Sequence, residues 1–182
     1  MGDIRKPKVK DYKLYELENI AADILKDAKD FIKGCRVDIE SLISDRYGIV
    51  IDAYAHLQSM YSALAFTLVG SKRIFIDSFL LDDPRQEKRY RFTLSEEFAH
   101  SLIHHHVFEN CNNIEERIQI EELFSEKERF FWEGNAKALA GALLMPKELF
   151  EQRVEFFLEK TKGKSRGGFK FQVQQVRCSQ ST

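Results

Sequence analysis

Leu14, Leu17, Ile20, Ala21, Ile24, Leu25, Ala28, Phe31 and Ile32 recur at helical spacing. They predict an amphipathic helix over Tyr12 to Lys33, stopped at Gly34. Asp38 caps a short second helix through Leu42 and Ile43, ended by Gly48. The period then changes. Ile49 to Tyr54 is strand-like, and Leu64, Phe66 and Leu68 alternate as a second strand. Gly70-Ser71 reads as a two-residue turn into Arg73–Asp77. A small antiparallel sheet is therefore expected after two helices.

Asp83-Pro84 places a cap before proline at a first helical position, opening a helix that should run to about His106. Asn110-Cys111-Asn112-Asn113 is a loop, and Ile114 to Phe124 a short extra helix. Ser125 and Glu128 form a capping box that starts another helix. Phe130, Ala136, Leu139, Ala140, Leu143 and Leu144 supply its buried side until Met145-Pro146 breaks it. Lys147 to Lys160 is a last amphipathic helix. Gly163, Gly167 and Gly168 among basic residues mark a linker. Beyond it lies a polar tail in which Phe169, Phe171 and Val173 alternate.

One helix carries the candidate chemistry. Across Arg89–His104, Leu94, Phe98, Ala99, Leu102 and Ile103 share an apolar arc. Thr93, Glu96, Glu97, His100 and His104 share a narrow polar one. Such a stripe can be a solvated face. Between neighbours this apolar it must instead be paired or hold a metal. On the capped helix, Glu133 and Lys137 stand one turn apart in a stripe with Phe130, Ala136, Ala140 and Leu144. They are either an ordinary surface pair or the second half of the same site.

Composition narrows the setting. The chain has 182 residues, which suits one domain, and fifteen Phe can fill a sizeable core. A net charge of −1 with mixed signs gives no reason to expect nucleic-acid or membrane binding. Cys35, Cys111 and Cys178 are odd in number and in no metal spacing, which favours a reducing cytoplasm. The start lacks the apolar core of a signal peptide, and no apolar run reaches membrane-spanning length.

Arg91-Phe92-Thr93-Leu94 through His104, followed by Glu133-x-x-Ala136-x-x-x-Ala140-x-x-Leu143-Leu144-Met145-Pro146, resembles the ImmA/IrrE family. The resemblance covers roughly residues 12–160. It implies an α+β, zincin-like metallopeptidase fold, with helices packed on a small antiparallel sheet. On that reading residues 1–162 form the domain and 163–182 the linker and tail. Several members of the family act on helix-turn-helix repressors, in mobile elements or stress responses. Carried over, the family's His-Glu-x-x-His motif makes Glu97 the general base, His100 a zinc ligand and Glu133 the third ligand. A third ligand from another helix leaves zinc one open position, where water is activated.

Two positions depart from the family's pattern. Glu96 stands where the first histidine belongs, and Lys137 where asparagine is usual. They should face each other, so Lys137 could compensate the carboxylate in a site that holds weak zinc or none. Alternatively Glu96 is itself a ligand, in a Glu–His–Glu set for zinc, manganese or iron. His104 reads as a buttress at the helix end, His105 and His106 as exposed, and His56 as a loop residue without a partner visible in sequence. Two functions follow from the resemblance. One is hydrolysis of a regulatory protein, a repressor or antitoxin. The other is a pseudo-peptidase that keeps the cleft as a protein-binding surface.

Overall fold

The structure is a computed structural model, and it describes residues 8–109 and 111–162. It is an α+β arrangement. Helix α1 (Leu14–Lys26) buries Leu17, Ala21 and Leu25. It stops well before the expected Lys33. Ile32–Lys33 (β1) and Arg36–Val37 (β2) instead pair as a small hairpin, with Ile32 opposite Val37. Gly34, at φ +64°, serves that hairpin's tight turn and does not cap a helix. Asp38 caps the next turn as expected, accepting from the Ser41 amide at 3.3 Å. That helix, α2 (Ile39–Ser41), runs on through a wider turn over Leu42–Arg46 to Gly48.

The main sheet corrects the expected all-antiparallel one. Its strands are β3 (Val50–Tyr54), β4 (Ala65–Leu68) and β5 (Arg73–Asp77), in the order β3-β5-β4. β5 is antiparallel to β4 but parallel to β3. The cause lies in burial. Ile74 and Ile76 on β5 are fully buried, so this strand takes the central slot between the other two. Between β3 and β4 the short helix α3 (Leu57–Tyr61) buries Leu57 and starts and ends on left-handed residues, His56 and Ser62. The β4–β5 turn also differs from expectation. Leu68 pairs with Arg73, so four residues, Val69–Lys72, make the connection. Gly70 suits that turn because a side chain there would crowd the Glu109 carbonyl oxygen at 3.0 Å.

After β5 come α4 (Phe79–Asp82) and a single tight turn over Pro84–Gln86, capped by Asp83. Helix α5 then runs over Glu87–Ile103, shorter than the span expected to His106. His104 leaves helical geometry at φ −121° to turn its ring into the core. His105–Phe108 is a separate turn, α6. Helices α7 (Ile114–Glu122), α8 (Glu126–Leu144) and α9 (Lys147–Lys162) complete the described chain. The Ser125–Glu128 capping box of α8 is present. Phe130, expected on its buried side, is 74% exposed, and Trp132 takes the inward place. α5 packs between the sheet and α8, and α1 covers α8's other flank. No helix among the described residues is long and apolar enough to cross a membrane. The linker and tail expected from Gly163 lie outside the described residues.

Candidate functional site

The polar stripe of α5 meets α8. Glu96 lies against Lys137, and one turn later His100 stacks on Trp132, so the two helices run antiparallel. Small residues at Ala99, Ala136 and Ala140, all fully buried, let the backbones approach. This packing brings Glu96, His100 and Glu133 together, with one ligand atom from each within 4.8 Å of the others. Lys137 joins them. Its Nζ donates to Glu133 Oε2 at 3.1 Å and stands 3.6 Å from Glu96 Oε1.

The electrostatics of the group follow from crowding. Burial, and then the neighbouring Glu133 charge, push the Glu96 carboxyl up to about 7, with Lys137 opposing them. Burial alone would lower Lys137, but its bonds to Glu133 and Glu96 outweigh that and hold it above its ordinary value. Burial holds His100 well below the usual imidazole range, helped by the charges of Arg117, His104 and Lys137. His104 is brought down to about 3 by burial, then by His106 and Arg117. Both rings are therefore neutral at pH 7.

His104 is more than a helix-end buttress. Its Nδ1 lies 3.0 Å from Nδ1 of His100, and Trp132 stacks on both rings. One nitrogen of the pair donates and the other accepts. Either choice fixes which nitrogen of His100 carries hydrogen on its other side. His104 Nε2 and Trp132 Nε1 are buried without a hydrogen-bond partner among the described residues.

Glu97 goes elsewhere. Its Oε2 accepts from the Thr67 amide on β4 at 2.7 Å and from Arg117 Nη1 at 2.9 Å. The same Arg117 nitrogen donates to the Thr67 carbonyl at 2.8 Å, and its Nε to Glu121 at 2.8 Å. The guanidinium is buried between the rings of Phe66 and Phe108. Burial pushes the Glu97 carboxyl up against the opposing Arg117 charge. β4 is an edge strand of the sheet, and Thr67 is where its free backbone groups face outward. Arg117 and Glu97 close that edge from within the chain.

The donor set of Glu96, His100 and Glu133 is of the kind that could hold a divalent ion, with its ligand atoms within 4.8 Å of one another. It does not fit a hydrolytic zinc centre. The Lys137 ammonium already sits on both carboxylates, and the carboxylate needed as a base is tied to Arg117.

Sequence reasoning missed Arg117, Trp132 and Thr67. Arg117 had a signal, because it stands one turn after Ile114 on the apolar side of α7. Trp132 had one as well: it is the chain's single tryptophan, beside Glu133. Nothing in the sequence marked the Thr67 amide. Of the remaining histidines, His106 accompanies the Lys8 carbonyl at 3.1 Å, and His56 starts α3.

The arrangement defines an α+β fold with a charged cluster between two packed helices. No family model, curated protein or solved structure matches the chain.

Proposed function

We propose that this chain is a divergent zincin-like domain of the ImmA/IrrE kind that binds a regulatory protein and does not hydrolyse it. The partner class is a helix-turn-helix repressor or an antitoxin, in the cytoplasm, without direct contact to nucleic acid. The observation that carries the reading is the Glu97–Arg117 ion pair on the β4 edge. A general base must reach the water it deprotonates. Glu97 is instead committed to a guanidinium and a backbone amide, on the edge where a substrate strand would pair. The cluster keeps exposed groups suited to recognition, Glu133 and Lys137, with Phe130 beside them on α8.

A second reading is favoured by one observation, the convergence of Glu96, His100 and Glu133. On that reading the chain is a metallopeptidase whose base is released when Arg117 moves. The two readings separate in one assay. The chain is titrated by calorimetry with a panel of repressor and antitoxin proteins, with added zinc, manganese or iron(II), and the mixtures are analysed by mass spectrometry. Binding of intact partner is the expected result. Metal-dependent cleavage that disappears in Glu97→Gln would overturn it.

A further inference from the structure

Helix α9 is uncovered. From Phe150 to Thr161 every residue is exposed, including Phe150 at 58% and Phe157 at 51%. Phe150, Val154, Phe157 and Leu158 stand at i, i+4, i+7 and i+8, so they form one apolar stripe. At the root of α9, Leu149 lines a cleft of about 780 Å³ together with Ala21, Leu25, Ile32 and Met145. Next to the stripe runs a column of like charge, Glu151, Glu155 and Glu159, spaced i, i+4, i+8. None of the three is in an ion pair among the described residues. Arg153 and Lys160 lie over the rings of Phe156 and Phe157 instead. An isolated helix of 16 residues is marginal in water, and like charges one turn apart weaken it further. The face calls for an occupant that is both apolar and cationic.

The chain contains such a segment. Residues 163–182 hold Lys164, Arg166, Lys170 and Arg177 and no acidic residue, and they hold Phe169, Phe171, Val173 and Val176. The glycine-rich stretch before Phe169 spans about 20 Å at full extension. That is most of the about 24 Å length of α9. We propose that the apolar stripe and glutamate column of α9 are the docking surface for residues 163–182 of the same chain. Apolar residues of the segment meet Phe150, Val154, Phe157 and Leu158, and its cations meet the three glutamates. This is independent of the cluster at Glu96.

Hydrogen exchange of the α9 amides in the full chain tests this, across a wide range of protein concentration. In the wild type, exchange over Phe150–Thr161 is slowed at least about tenfold relative to Lys164→Glu/Arg166→Glu/Lys170→Glu/Arg177→Glu. Glu151→Lys/Glu155→Lys/Glu159→Lys loses the same protection, and the two sets combined regain it. Phe169→Ser/Phe171→Ser also loses it, while α5 and α8 stay protected in every variant. Three results overturn the proposal. One is absence of protection in the wild type. Another is failure of the combined charge exchange to restore it. The third is protection that rises with concentration alongside a dimer in sedimentation, which would make a second copy the occupant.

Discussion

Arg117 Nη1 lies 2.9 Å from Glu97 Oε2, and the pair is buried beneath the edge of β4. Two charges this far from water persist because each also bonds to groups around the other. Glu97 takes the Thr67 amide, and Arg117 takes the Thr67 carbonyl and Glu121. The pair fastens α5, α7 and the sheet to one another.

Removing one partner strands the other. Arg117→Met leaves a buried carboxylate beside an unmet carbonyl and should cost about 3–5 kcal/mol in urea unfolding. Glu97→Leu with Arg117→Met should cost much less, because no charge is left in the apolar space. A single-mutant loss below about 1 kcal/mol would show that water reaches the site and that Glu97 is not confined.

Lys137 was expected to pair with Glu96 as a buried compensating couple. Its ammonium is shared, closer to Glu133 at 3.1 Å than to Glu96 at 3.6 Å, and its side chain is half exposed. Exposed pairs of this kind couple weakly. A double-mutant cycle of Glu96→Gln and Lys137→Met should therefore give at most about 1 kcal/mol, well under a buried pair. A coupling of about 3 kcal/mol would restore the buried-couple reading.

Stability should pass through a maximum with pH in EDTA. His104, at about 3 in the fold against 6.5 unperturbed, contributes stability present above pH 6.5 and lost as pH falls toward 3. His100 acts in the same direction. The slope approaches about 1.4 kcal/mol per pH unit for each histidine. Glu96 has the opposite sign. Its carboxyl is raised from 4.5 to about 7, so its contribution is full below pH 4.5 and lost as pH rises through 7. Glu96→Gln should flatten the neutral limb and leave the acid limb intact. A neutral limb unchanged by that substitution would mean the Glu96 carboxyl is not crowded.

How far the sequence went depends on the kind of signal. α8 was legible because Ser125, Glu128 and Pro146 are local signals, and local hydrogen bonds decide helix ends. Two helical stripes left open whether Glu133 and Lys137 join Glu96 and His100; the family resemblance implied that they do, and the packing of α5 on α8 brings them together. The strand order was not legible. Which strand fills the centre depends on the total burial of Ile74 and Ile76, a property of the packed sheet. The Tyr12–Lys33 helix failed for a related reason, since apolar spacing continues through Phe31 and Ile32 although Phe31 ends a separate tight turn and Ile32 belongs to a hairpin. The partner of Glu97 was hidden most deeply. Arg117 is 20 residues away in sequence, and Thr67 contributes only backbone atoms.

The last prediction separates metal binding from hydrolysis. As isolated, the chain should carry far less than one zinc, because Lys137 occupies the two carboxylates an ion would need. Glu96→His with Lys137→Asn removes the ammonium and supplies a second imidazole beside His100 and Glu133. Zinc affinity, read by competition with a chromophoric chelator, should then rise at least about tenfold, equivalent to about 1.4 kcal/mol. His100→Ala in that background should abolish the gain. Peptide hydrolysis should nevertheless stay absent, because Glu97 remains bound by Arg117 and the Thr67 amide. If the zinc-loaded double mutant cleaves peptides, Arg117 does not hold the base out of action, and the binding-only reading fails. If zinc affinity does not move, the three donors are not poised for an ion, and the metallopeptidase reading fails instead.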